Sequence, residues 1–77
     1  MKYTLYISDI PDNFVKQTID IIAANDKEAA LETVKRYRLE DMDFIDYELH
    51  DQNGDTVLEI GGYHRDSEEQ IQRILNA

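Results

Sequence analysis

Three stretches of this chain alternate apolar and polar residues with a period of two, and that pattern limits the fold more than any other feature. Tyr3, Leu5 and Ile7 alternate with Lys2, Thr4, Tyr6 and Ser8. Val15, Gln17, Ile19, Ile21 and Ala23 alternate with Phe14, Lys16, Thr18, Asp20 and Ile22. Further on, Ile45, Tyr47 and Leu49 alternate with Phe44, Asp46, Glu48 and His50, and residues 56–60 supply a returning strand. Successive side chains of a strand point to opposite faces, so each stretch reads as a strand with one buried face. Two turn signals join the strands in pairs. The first is Asp9-Ile10-Pro11-Asp12-Asn13, where Pro11 fixes φ. The second is Asp51-Gln52-Asn53-Gly54-Asp55, whose Asn-Gly pair calls for positive φ at Gly54.

Each hairpin leads into a helix. Asn25 can accept a bond from the first free amides and Glu28 stands three residues on, as in a capping box. Ala30, Leu31, Val34 and Tyr37 then recur at helical spacing, and Lys35, Arg36 and Arg38 suit the negative end of the helix dipole. This predicts a helix over about 26–39. Asp66 as cap, with Glu69 three residues on, predicts a second helix carrying Ile71, Ile74 and Leu75. The polar stretch Glu40-Asp41-Met42-Asp43 separates the halves, and Gly61-Gly62 ends the fourth strand. The order β-β-α-β-β-α predicts an α+β fold: a mainly antiparallel four-stranded sheet with the first helix packed on one face. The second helix can join that face or meet another copy.

A chain of 77 residues forms a single domain, 1–77, with a thin core, because at this size only about 60% of the unfolded surface is buried. A groove, a flat face or a dimer interface is easier to build on it than a deep pocket. There is no cysteine, which removes disulfides and thiolate metal sites and is compatible with a reducing compartment. The amino-terminal alternation is unlike a signal peptide, and no run approaches the roughly 20 apolar residues of a membrane helix. The expected location is cytoplasmic.

Seventeen acidic against eight basic residues give a net charge of −9. That balance disfavours nucleic acid phosphates and anionic membranes as partners and favours basic ones. The imbalance is concentrated. Residues 39–64 hold eight carboxylates (Glu40, Asp41, Asp43, Asp46, Glu48, Asp51, Asp55 and Glu59) and no Lys or Arg. Asp46 and Glu48 fall on one side of the third strand, about 6.6–6.8 Å apart, similar in scale to successive phosphates of one nucleic acid strand. Two readings stand side by side. One is a docking face for a Lys/Arg-rich protein, with the carboxylate row as a nucleic-acid mimic. The other is a solvated face that keeps an exposed strand from aggregating. Of the five tyrosines, Tyr3, Tyr37 and Tyr47 fall on apolar stripes, whereas Tyr6 and Tyr63 suit an interface. The candidate partner-binding set is therefore Asp43, Asp46, Glu48, Asp51, Asp55, Glu59, Tyr6 and Tyr63.

Other chemistry has less behind it. His50 and His64 do not have zinc-ligand spacing. Asp51, Asn53 and Asp55 open like an EF-hand loop, but Thr56 and Gly62 occupy positions that need Gly and Glu. Ser8 and Ser67 lack a nucleophile-elbow context, His50 with Asp46 or Glu48 would sit on a solvated strand face, and Gly61-Gly62 is not a phosphate loop. No metal, cofactor or catalytic residue is expected.

The short length, the strand that runs into Ala23-Ala24-Asn25-Asp26-Lys27-Glu28-Ala29-Ala30 and its helix, and the acidic hairpin resemble small acidic phage or mobile-element inhibitors, including some anti-CRISPR proteins. The resemblance lies in layout and carries over no individual residue. It implies stoichiometric binding to a nucleic-acid-handling protein without catalysis. The expected function is thus an acidic inhibitor or adaptor. The alternative is a small structural or regulatory domain that homodimerises and binds a small ligand at the interface.

Overall fold

The computed structural model describes residues 1–9, 14–40, 45–62 and 64–77. Its elements are β1 (Lys2–Asp9), β2 (Phe14–Ile22), α1 (Asp26–Glu40), β3 (Ile45–His50), β4 (Thr56–Gly61) and α2 (Ser67–Leu75). The strands form one antiparallel sheet in the order β2-β1-β3-β4. Two sequence-adjacent hairpins are therefore fused through their first strands, β1 against β3, with Leu5 opposite Leu49 and Ile7 opposite Tyr47. The first turn, at 10–13, and the polar stretch 41–44 lie outside the described residues.

The alternation sets the two faces. Tyr3, Leu5, Ile7, Ile21, Tyr47, Leu49, Leu58 and Ile60 are buried and form one cluster with Ala29, Ala30 and Val34 of α1 and Ile71 of α2. Both helices thus share one face, and the other is left to solvent, as antiparallel sheets allow. Full burial of each Leu or Ile here contributes about 1.5–3 kcal/mol.

α1 begins as its sequence predicts. The Glu28 amide donates to Asn25 Oδ1 at 2.9 Å, and the Glu28 carboxylate returns to the Ala24 amide at 2.9 Å. The fully buried Tyr3 reaches the same turn and donates from its hydroxyl to Asp26 Oδ1 at 2.7 Å. That bond, with burial and the Asp26 charge, pushes the Tyr3 pKa up to about 12. The apolar stripe differs from expectation. Ala29, Ala30, Thr33 and Val34 are buried, whereas Leu31 is 43% exposed. The small side chains of Ala29 and Ala30 make the contact with the sheet, which rotates Leu31 off the interface. Thr33, buried beside them, donates its hydroxyl to Ala29 O at 3.1 Å.

α2 also starts differently. Asp66 makes no side-chain cap and instead accepts from Gln70 Nε2 at 2.9 Å. The first turn is held by Ser67, whose buried hydroxyl donates to His64 O and accepts from the Gly61 amide at 3.0 Å. Gln70 Oε1 accepts from the Glu59 amide at 3.1 Å. Two side chains of α2 thus take up amides on the outer edge of β4, and the helix covers that edge.

The β3–β4 turn is built on Asp51. Its Oδ1 accepts from the amides of Asn53 and Asp55, both at 2.9 Å, and Gly54 adopts φ +84° as the Asn-Gly pair requires. Gly61 has φ +133°, and a Cβ there would strike Ile45 O and approach Asp46 Oδ1 to 2.7 Å. Gly54, by contrast, has open space around it. Gly54→Ala should cost about 1 kcal/mol from conformation alone, and Gly61→Ala about 2 kcal/mol or more, because steric overlap adds to the strain. Denaturant melts of the two variants measure the difference. In the same assay Val34→Ala should cost about 1–3 kcal/mol and Leu31→Ala under about 1 kcal/mol, reversing the order that side-chain size alone suggests.

Candidate functional site

The open face of the sheet carries the polar half of each alternating stretch. On β3 these are Asp46, Glu48 and His50. Their partners across β1 are Ser8, Tyr6 and Thr4. On the other side Glu48 stands directly opposite Glu59, and Asp46 opposite Gly61. Asp46, Glu48 and Glu59 therefore form a compact acidic group, with Tyr6 beside it.

Each carboxylate has its own surroundings. Glu48 Oε1 accepts from His50 Nε2 at 2.6 Å. The His50 ring meets Tyr6 edge to face, with centroids 5.1 Å apart and planes at 74°, so the aromatic pair fixes where the imidazole reaches. Asp46 lies deeper, with its side chain 18% exposed. The gap above Gly61 admits its carboxylate. Its Oδ2 is 3.3 Å from His64 Nε2, and its buried Oδ1 has no hydrogen-bond partner among the described residues. Burial raises the Asp46 pKa above its ordinary value; His64 opposes that shift and Glu48 adds to it.

His64 is delivered by the chain after β4. The Gly62 amide donates to Ile45 O at 3.2 Å, and the His64 amide donates to Gly61 O at 3.1 Å. The imidazole comes to rest between two acids, with Nδ1 3.9 Å from Glu59 Oε2, an ion-pair distance rather than a hydrogen bond. Beyond the acidic group, Lys2 pairs with Asp20 at 3.6 Å on the exposed surface. A shallow cleft of about 290 Å³ at the turn end is lined by Lys2, Thr4, Tyr6, His50, Asp51, Gln52 and Gly54.

Of the residues expected to bind a partner, Asp46, Glu48, Glu59 and Tyr6 come together on this face. Asp51 and Asp55 lie in the adjoining turn, where the Asp51 carboxylate is occupied by backbone amides and an EF-hand reading gives way to a hairpin. Asp43 and Tyr63 lie outside the described residues. The alternation set Asp46 and Glu48 alike on a solvated face, but the Asp46 side chain is only 18% exposed, against 44% for Glu48. Nor is His50 freely solvated, since it is three-quarters buried between Tyr6 and Glu48. The roles of His50 and His64 were not legible from spacing. His64 reaches Asp46 across 18 residues of sequence and only through the turn that Gly61 permits.

Among the described residues, no group of three or more His, Asp or Glu side chains has the geometry to hold a metal ion. No described helix is long and apolar enough to cross a membrane. Comparison with protein-family models, with curated proteins and with solved structures yields no match.

Because folding raises the Asp46 pKa, its contribution to stability is fully present below the ordinary carboxylate range. It is lost as pH rises through the folded value. Asp46→Asn removes that loss. The denaturant midpoint of the variant relative to the parent should rise between pH 3 and pH 6. A constant difference across that window would show that Asp46 ionises with no penalty from the fold.

Proposed function

We propose that this chain is a non-enzymatic, cytoplasmic binding protein that docks the open face of its sheet on a basic surface of a nucleic-acid-handling protein, as an inhibitor or adaptor. One observation carries the reading: Glu48 and Glu59 are direct cross-strand partners on the solvent side of the sheet, with Asp46 beside them. Like charges placed directly opposite each other cost about 0.2–1 kcal/mol, so this arrangement opposes stability in the free protein. A partner's Lys or Arg side chains would relieve it. The surrounding sequence supports the same reading, since residues 39–64 contain no Lys or Arg to neutralise the group internally.

The partner class follows from charge spacing. Carboxylates at alternate positions along β3, Asp46 and Glu48, recur at a strand spacing similar in scale to phosphate spacing. Tyr6 adds apolar area and a hydroxyl next to the acids. Long-range attraction would act over about 8–10 Å at physiological salt and would speed association more than it tightens the final complex. The layout likeness to small acidic phage inhibitors points to the same kind of partner.

The test uses Glu48→Lys with Glu59→Lys, which leaves the less exposed Asp46 in place. A partner is captured from lysate at low salt, eluted by salt and identified. Its affinity is then measured for parent and variant at two salt concentrations. The parent should weaken steeply with salt, and the variant should bind at least tenfold more weakly, about 1.4 kcal/mol. Glu48→Lys alone, which sets a cation opposite Glu59, should fold at least as stably as the parent while binding less well. Unchanged affinity in the double variant, with no salt dependence in the parent, overturns the reading.

A further inference from the structure

Asn53-Gly54 is the one Asn-Gly pair in the chain, since Asn13 precedes Phe14, Asn25 precedes Asp26 and Asn76 precedes Ala77. The pair carries a reactivity of its own. A backbone nitrogen can attack the side-chain amide carbon of the asparagine before it and close a five-membered imide. A side chain on the attacking residue hinders that approach, and glycine has none. Beyond its chain neighbours, nothing lies within 4 Å of where a Gly54 Cβ would stand. Asn53 is exposed, and its side-chain amide makes no hydrogen bond among the described residues.

The backbone of the turn is held far more firmly than this side chain. Three consecutive amides, those of Asn53, Gly54 and Asp55, all donate to Asp51. Asn53 and Asp55 donate to its Oδ1, both at 2.9 Å, and Gly54 donates to its carbonyl oxygen at 3.0 Å. The Asp51 amide in turn donates to Asp55 O at 2.9 Å. The attacking atom is the Gly54 nitrogen, which must give up its proton before it can act. While that N–H donates to Asp51, the proton is engaged, and the carboxylate bonded to both flanking amides disfavours an amide anion between them.

We propose that Asn53 is a modification site, deamidating spontaneously through an imide with Gly54 at a rate set by local opening of the Asp51-held turn. In the first step the bond from Gly54 N to Asn53 Cγ forms and the bond from Cγ to Nδ2 breaks. The Gly54 amide proton leaves with Nδ2 as ammonia. Water then opens the imide at either of its two carbonyls, giving aspartate or isoaspartate. The first product adds one carboxylate to the eight of residues 39–64. The second routes the main chain through an extra methylene, which a hairpin register fixed by loop length cannot absorb. The ladder would loosen first at His50 opposite Thr56, the pair next to the turn and already at a register shift. This site is separate from the docking reading, and neither inference depends on the other.

The experiment follows isoaspartate at position 53 by peptide mapping of the full chain, with the same chain unfolded in guanidinium chloride as reference. At one pH and temperature the folded parent should react more slowly than the reference. Asp51→Ala removes the acceptor of two amides and should react about tenfold faster than the folded parent. Exchange protection of the Gly54 amide should fall in step, because both events need the same N–H released. Asp51→Asn keeps an Oδ1 acceptor and should stay close to the parent. Val34→Ala weakens the buried core on α1 but leaves the bonds of the turn intact, so it should not change the rate. If Val34→Ala accelerates the reaction as much as Asp51→Ala, global unfolding is the gate and the proposal falls. It falls equally if the folded parent reacts as fast as the unfolded chain, if Asp51→Ala reacts no faster than the parent, or if the unfolded chain forms no isoaspartate at this position.

Discussion

The pairing of β1 with β3 joins what would otherwise be two separate hairpins, each too small to hold its own structure in water. Leu5 against Leu49 and Ile7 against Tyr47 place four buried side chains along this one seam. The seam brings together residues 36 to 46 positions apart, so its loop-closure cost is met only when the apolar face is covered. α1 and α2 supply that cover. Tyr3 links the two layers, since its ring lies in the core and its hydroxyl reaches the first turn of α1. The fold is therefore one cooperative unit built from two similar halves.

What the sequence made legible was local. The strand alternation, the Asn25–Glu28 cap and the positive φ at Gly54 each depend on residues within a few positions of one another. What it hid was set by neighbours distant in the chain. Leu31 looked like core because spacing cannot tell which of two adjacent apolar residues meets the sheet, and the small Ala29 and Ala30 decided that. Asp66 looked like a cap because its type and position fitted, yet its carboxylate accepts from the Gln70 side chain, and Ser67 instead ties the helix start to β4. The acidic face was readable as a row of carboxylates. The burial of Asp46 was not, because it follows from a glycine on the neighbouring strand.

The acidic group also shows how a small domain holds unfavourable charge. Glu48 and Glu59 repel across the ladder, while His50 Nε2 stands 2.6 Å from Glu48 and His64 Nδ1 3.9 Å from Glu59.

The bonds from Ser67 and Gln70 to β4 also couple a helix to the exchange of two particular amide hydrogens. An edge strand normally yields its outward amides to solvent deuterium early. Here Glu59 and Gly61 are shielded only while α2 is docked. Their exchange rates therefore register the detachment of the last nine-residue helix, separately from opening of the central strands. The carboxyl-terminal segment thus has its own spectroscopic clock, written in two backbone positions of a strand it does not belong to.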